Sequence, residues 1–299
     1  MIDKNDEGIS KGGPSDTAEE VALIRFLESR KPEDERICYD PYAVRFIRPE
    51  TLAKLQQKPE AGTDLEKQKS TLFRGVANTV VARVRYFDDM VQKAAEDGLE
   101  QLVILGAGYD TRAYRMGCLK NVMVFEVDRP NTQELKKAEV ADMLGALPNN
   151  VTFVPVELES EALGLSLRAG GFDPRKKSMF LMEGLLMYIQ PSAVDRILRS
   201  IKSGTGEGSV VLFDYVTRIA NPDSSVDRQA AQNLLKFIKD ANEPMKFSLK
   251  EGEIYAYLTE RGFRDIVDFG NKDYIERYFK GKNRDRELFG LVSFASARV

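Results

Sequence analysis

The 299-residue sequence predicts an α/β fold: an open, doubly wound, mostly parallel sheet with helices on both faces. From Leu99 onward, short apolar runs recur at 102–105, 122–127, 151–156, 179–182 and 210–213. Helical stretches separate them near 130–146, 160–168 and 191–202, the last with Val194, Ile197, Leu198 and Ile201 on one face. Strands alternating with helices read as a parallel sheet. The chain then closes on a strand-like run, 288–297, with no helix after it, which suits an antiparallel strand in a mixed sheet.

The remaining elements follow in chain order. Residues 1–15 are polar and Gly-rich and read as a disordered tail. Asp16-Thr17 followed by Glu19-Glu20 suits a helix start, with Val21, Ile24, Phe26 and Leu27 as its apolar cluster. A second element carries Tyr42, Val44, Phe46 and Ile47 before Pro49, and 49–70 read as an exposed connection or a weak helix. From about Gly75 to Ala95 the spacing predicts a strong helix, with Val76, Val80, Val84, Phe87 and Val91 at steps of three and four. Arg83 lies on or beside that apolar face, whereas Arg85 falls with Asn78, Asp88, Asp89 and Gln92 on the polar one. A guanidinium on the apolar side needs an anion. A core carboxylate and an anionic ligand group both satisfy that need. The segment 217–248 has no strand pattern and reads as an inserted helix carrying Ala230, Ala231, Leu234, Leu235 and Ile238. The expected organisation is one domain over 16–299, a helical cover (16–98) on a sheet-bearing core (99–299).

Composition removes several classes of chemistry. The chain has no histidine, which excludes Ser-His, Cys-His and His-ligated zinc mechanisms. Its two cysteines, Cys38 and Cys118, build no zinc site and suit a reduced, cytoplasmic protein, so no metal is expected. Lys+Arg total 44 against Asp+Glu 47, a net charge of −3, which argues against bulk electrostatic binding of nucleic acid or an anionic membrane. No apolar run reaches 18 residues.

The clearest motif is Leu-Gly-Ala-Gly-Tyr-Asp-Thr at 105–111, directly after a strand. Gly106 and Gly108 let the backbone turn and approach a ligand closely. The next strand ends in Asp128, twenty residues beyond Gly108, where the first crossover unit presents a carboxylate to a ribose diol. A helix cap for the stretch beginning near Pro130 is the other role open to Asp128. The third Gly of a dinucleotide fingerprint is replaced by Thr111, and Asp110 puts a negative charge where a diphosphate would lie. Both count against a nicotinamide-linked oxidoreductase and suit a ligand bearing an ammonium or a sulfonium. S-adenosylmethionine has both, with a ribose and no phosphate. Glu157, after the third strand, is placed to accept an adenine amine. Glu183 and Tyr188 follow the fourth, beyond the carboxyl ends where ligands bind in such sheets. Tyr188 reads equally as a core aromatic with a satisfied hydroxyl.

The string Leu-Gly-Ala-Gly-Tyr-Asp-Thr-Arg-Ala-Tyr-Arg at 105–115 closely resembles the leucine carboxyl methyltransferase family, and more narrowly its bacterial S-adenosylmethionine-dependent O-methyltransferases. Four further blocks resemble the family in the same order: Thr17-Ala18 with Arg36-Ile37-Cys38-Tyr39-Asp40-Pro41-Tyr42-Ala43, then Arg83-Val84-Arg85-Tyr86-Phe87-Asp88-Asp89, Phe125-Glu126-Val127-Asp128-Arg129-Pro130, and Glu183-Gly184-Leu185-Leu186-Met187-Tyr188. The resemblance implies a class I methyltransferase fold, Rossmann-like with a seven-stranded sheet, covered by N-terminal helices and by a helical lid at about 217–248. It implies that Arg83 binds the methionine carboxylate of S-adenosylmethionine and that Gly106, Gly108 and Asp110 form the cofactor loop. Asp128 would take the ribose hydroxyls, Glu157 and Leu158 the adenine, and Glu183 the amino group. The family more often has Asp-Leu at the adenine position, so Glu157 is a departure with a longer reach.

The implied reaction is in-line transfer of the sulfonium methyl to an acceptor oxygen, leaving S-adenosylhomocysteine. Positioning and exclusion of water do most of the work, with Tyr188 as the positioning candidate and no catalytic base identified. The expected acceptor is a small molecule, an acid ahead of an alcohol, because a carboxylate is already ionised near neutral pH. The rival readings are a non-catalytic S-adenosylmethionine-binding module and the oxidoreductase. No basic stripe supports a nucleic-acid substrate.

Overall fold

Strand β1 (Gln101–Leu105) is buried along its whole length and has parallel neighbours on both sides, β2 (Met123–Asp128) and β4 (Ser178–Met182). That double burial explains its apolar run, Leu102–Leu105. In this computed structural model, which describes residues 16–56, 64–159, 163–218, 245–288 and 290–299, the parallel set is completed by β3 (Val151–Pro155) against β2 and β5 (Val210–Arg218) against β4. The closing strand β8 (Val292–Arg298) runs antiparallel to β5, with Phe213 opposite Ala295, as expected for a final strand without a crossover. β7 (Arg264–Phe269) pairs antiparallel with β8 at the edge. The order is β3-β2-β1-β4-β5-β8-β7, and the two-residue β6 (Leu249–Lys250) adds to the end of β5. The chain is thus a doubly wound, mostly parallel sheet with seven principal strands.

Alternate residues of β1 feed two cores, the period-2 consequence of a pleated strand. Val103 and Leu105 join a cluster with Val194, Ile197, Leu198 and Ile201 of α7 (Pro191–Gly204) and Leu163 and Leu167 of α6 (Leu163–Ala169). Ile254 and Leu258 of α8 (Glu253–Thr259) complete that face. Leu102 and Ile104 join the opposite cluster, where α3 (Asp64–Glu96) supplies Val80, Val84, Phe87 and Val91 and α1 (Asp16–Ser29) supplies Ile24. The apolar stripe read in the sequence is therefore the face by which α3 covers the sheet. A third, smaller cluster joins Ala22 and Phe46 to Tyr109 and to Val140 of α5 (Pro130–Leu144), with Phe46 stacked on Tyr109 at 5.0 Å.

Several boundaries differ from the sequence reading. α3 begins at Asp64, not near Gly75, and α2 (Pro49–Gln56) is a helix of its own, so the 49–70 stretch is largely helical. Ala43–Phe46 form a 3-10 turn. β5 runs on to Arg218, so Thr217 and Arg218 are strand and not the start of an insertion. β7, α8 and α9 (Asn271–Tyr278) were not anticipated. The expected tail at 1–15 and most of the expected lid, 219–244, lie outside the described residues.

Candidate active site at the carboxyl ends of the strands

The strand order reverses between β1 and β4, and the turns that leave these two strands meet. Such a reversal opens a crevice at the carboxyl edge of the sheet. Gly106 sits there with φ +65, and a Cβ on it would lie 2.7 Å from Leu185 Cδ1 of the β4 turn. A larger residue would have to displace the Leu185 side chain and hold a left-handed φ that side chains rarely adopt. The loop is then fixed by backbone bonds: Ala107 N–H donates to Val127 O (3.0 Å) and Asp110 N–H to Ala107 O (2.8 Å).

Asp128 stands at the end of β2 beside this loop. Its Oδ2 accepts from Gly108 N–H at 2.6 Å and its Oδ1 from Arg129 N–H at 2.7 Å. Each carboxylate oxygen can accept again, so the fixed carboxylate remains able to take a pair of ligand hydroxyls. The bond to Arg129 N–H lies ahead of the first helical residue, and α5 has Arg129 as its N-cap with no side-chain cap bond, so Asp128 does not cap that helix.

Arg83 is buried, and of the two kinds of anion foreseen for such a residue the structure shows the first, protein carboxylates. Its Nε donates to Glu183 Oε1 (3.1 Å) and its Nη1 to Asp214 Oδ2 (2.9 Å). Burial works against the guanidinium charge, but Asp214 and Glu183 outweigh it and raise its pKa. These two bonds use Nε and Nη1, not Nη2. Gly184, with φ +62, packs so closely that a Cβ there would lie 3.2 Å from Nη2.

Asp110 does not present a bare charge to the crevice. Its Oδ1 accepts from Arg112 N–H at 2.7 Å, and its Oδ2 is ion-paired with Arg112 Nη1. Burial raises its carboxyl, but the charges of Arg112 and Lys136 prevail and bring the pKa down to about 2. The repulsion of a diphosphate expected from Asp110 is therefore largely compensated by Arg112. Arg112 in turn joins Asp88 (Nε to Oδ1, 2.8 Å) and Glu183 (Nη2 to Oε2, 2.7 Å). Arg115 takes both oxygens of Asp88, and its Nε donates to Thr111 Oγ1, which itself donates to Asp40 Oδ2. Arg25 closes the chain against Asp40 at 3.1 Å and donates to Tyr109 O. Asp88, assigned by helical spacing to the polar side of α3, is drawn inward because α4 (Arg112–Arg115) lies across that flank with two guanidiniums. In this cluster five carboxylates (Asp40, Asp88, Asp110, Glu183, Asp214) meet four guanidiniums (Arg25, Arg83, Arg112, Arg115). With every group ionised, one negative charge is in excess.

A second buried pair lies beneath the loop. Lys136 Nζ meets Glu126 Oε2 at 2.7 Å, and Tyr114 Oη donates to Glu126 Oε1 at 2.8 Å. Burial raises the Glu126 carboxyl even so. Glu157 is exposed after β3, and Leu158 is half-buried against the α6–α7 core. Tyr188 ends a short 3-10 turn, Leu186–Tyr188, and is half-buried.

The structure thus brings Arg83 into contact with Glu183, and Gly108 with Asp128; Glu157 and Leu158 follow the end of β3 and Tyr188 follows that of β4. Sequence reasoning did not single out Asp40, Asp88, Arg112, Arg115 or Asp214. All but Asp214 lie inside the motif strings; Asp214 carries one signal, an acid within an apolar strand. Among the described residues no cluster of His, Cys, Asp and Glu suits a metal ion, and no helix is long and apolar enough to cross a membrane.

Comparison with known proteins adds independent findings. The sequence pattern of the family described as leucine carboxyl methyltransferase matches residues 18–202. A Mycolicibacterium smegmatis protein is 36% identical over 293 residues, covering 95% of this chain and 94% of its own. A Mycobacterium sp. (strain KMS) protein is 32% identical over 264 residues, 83% of each chain. Both carry the name S-adenosyl-L-methionine-dependent methyltransferase. Among solved structures, a duf574 family protein from Streptomyces avermitilis superposes with TM-score 0.57 at 13% identity, covering 93% of this chain and 96% of that one. A methyltransferase from Thermobifida fusca gives 0.56 at 14%, covering 79% and 89%. At such identities the structural likeness speaks for the fold.

Proposed function

This chain belongs to the leucine carboxyl methyltransferase family and is an S-adenosylmethionine-dependent methyltransferase; from that premise we propose that it methylates an oxygen of a small-molecule acceptor, a carboxylate ahead of a hydroxyl.

The residues at the strand edge fit the cofactor. Asp128, fixed through Gly108 and Arg129, has acceptor capacity for the ribose diol. Arg83 Nη2 suits the methionine carboxylate, Glu183 the amino group, and Glu157 with Leu158 the adenine. Gly106, Gly108 and Asp110 form the loop around these groups. The bound cofactor supplies an electrophilic methyl group on sulfur, and the thioether leaves neutral.

One observation carries the acceptor reading: the carboxylates around Arg83 and Arg112 are held in ion pairs, with no imidazole beside them. The chain has no histidine. Asp110, Glu183 and Asp214 are each ion-paired to arginine. Asp110, with its pKa lowered to about 2, is a weak proton acceptor near neutral pH. An acceptor carboxylate needs no base, since it arrives ionised. Tyr188, near the β4 turn, is the residue proposed to position it.

Calorimetric titration of the wild type with S-adenosylmethionine and with NADH tests the cofactor site. Binding of the first alone is expected. Asp128→Ala is expected to weaken it about 10–100-fold, the effect of losing charge-assisted hydrogen bonds of ~1.5–3 kcal/mol. Binding of NADH would overturn the assignment. For the acceptor, the protein is incubated with labelled cofactor and a panel of small carboxylic acids and phenols. A base-labile methyl ester is expected, and a base-stable ether would sink the carboxylate reading.

A further inference from the structure

Asp214 is a carboxyl side chain placed where strands normally carry apolar ones: the middle of β5, fully buried, opposite Phe294 of β8. No motif of the sequence includes it. Its two oxygens serve two different elements. Oδ2 accepts from Arg83 Nη1 on α3 at 2.9 Å, and Oδ1 accepts from Gly184 N–H in the β4 turn at 2.6 Å. Gly184 packs on the guanidinium face, and the neighbouring Glu183 holds Nε at 3.1 Å.

We infer that Asp214 is the positioning residue for the amino-acid end of the cofactor, fixing the Arg83 guanidinium and the Glu183-Gly184 turn in one arrangement. The inference rests on the cofactor reading above and goes beyond it, because Asp214 would touch no ligand atom. With Nε on Glu183 and Nη1 on Asp214, the guanidinium has one orientation, and Nη2 is left for a ligand carboxylate. Asparagine cannot substitute. It has one acceptor oxygen for two donors, and its amide N–H₂ would face either Gly184 N–H or the guanidinium.

The test separates this role from general support of the site. S-adenosylhomocysteine carries the amino-acid end; 5′-methylthioadenosine shares its adenosine and thioether but lacks that end. Wild type and Asp214→Asn are titrated with both. The variant is expected to lose about tenfold or more in affinity for S-adenosylhomocysteine. Its affinity for 5′-methylthioadenosine should stay within about twofold of wild type. Parallel losses for both ligands, or no loss for either, would overturn the inference. Gly184→Ala provides a second route that leaves every charge in place, since its methyl would press on the guanidinium at 3.2–3.4 Å. The same selective loss is expected, and equal losses for both ligands in this variant would overturn the inference if Asp214→Asn does not fold. A wild type that binds neither ligand would instead refute the cofactor reading on which the inference stands.

Discussion

At Asp110 two forces oppose each other. Burial disfavours its charge, while the Arg112 and Lys136 charges favour it, and the outcome is a pKa lowered from 3.8 to about 2. A carboxyl whose folded pKa lies below its unfolded value adds stability that is complete above the unfolded value. That stability is lost as pH falls through the folded one. A displacement of this size corresponds to about 2 kcal/mol. Replacing Asp110 by Asn should remove it and leave Arg112 with Asp88 and Glu183. The stability gap between wild type and Asp110→Asn, read from urea midpoints, is therefore expected to stay constant down to about pH 5 and to narrow below about pH 4. A gap that ignores pH throughout that window would show that the Asp110–Arg112 pair contributes nothing through ionisation. In the sequence, Asp110 was legible as a charge but not as half of a pair. Arg112 lies two residues on, and only the turn into α4 bends its guanidinium back.

Elements were legible where one physical signal dominated. β1 and β4 have buried apolar runs, β2 has one broken only by Glu126, and α3 and α7 have stripes of helical period, so spacing alone placed them. β7 had no such signal. It is an edge strand, Arg-Asp-Ile-Val-Asp-Phe, with its residues exposed or half-buried, and it breaks register with β8 between Arg264 and Val267. What holds it is tertiary: Phe269 stacks on Tyr86 of α3 at 4.3 Å, and Phe294 of β8 stacks on Tyr86 at 5.4 Å and on Tyr274 of α9 at 5.2 Å. These partners are far apart in sequence, so no local window contains the information. The same reasoning accounts for the site. Gly106, Gly108 and Asp128 belong to one crossover unit and carry a spacing rule. Asp40, Asp88, Arg112, Arg115 and Asp214 form a network whose members come from the N-terminal cover, α3, α4 and β5, and no spacing rule joins them.

At the scale of the whole molecule, the N-terminal helices are not separable from the sheet by their packing. Ile24 of α1 and Val80, Val84 and Phe87 of α3 share one cluster with Leu102, Ile104 and Leu181 of the sheet. Arg83 and Arg25 bind the cover to β5 and to the β1 loop by buried ionic and hydrogen bonds. We therefore propose that residues 16–299 unfold as one cooperative unit. The proposed site spans that unit, since Arg83, Gly108, Asp128 and Glu183 come from α3 and from the turns or ends of β1, β2 and β4. A ligand that bridges them stabilises the native state by RT ln(1 + [L]/Kd), about 2.7 kcal/mol at a hundredfold excess over Kd. For a chain of this length that corresponds to a rise of about 4 °C in midpoint. Scanning calorimetry with increasing S-adenosylhomocysteine should show one transition moving upward as a whole. If the trace splits and only one part moves, the cover and the sheet fold separately, and the ion pairs between them do not couple the two. If a single transition moves in the wild type and moves by less than half as much at the same ligand concentration in Asp128→Ala, the crevice at the strand reversal is where ligand binding is linked to global stability.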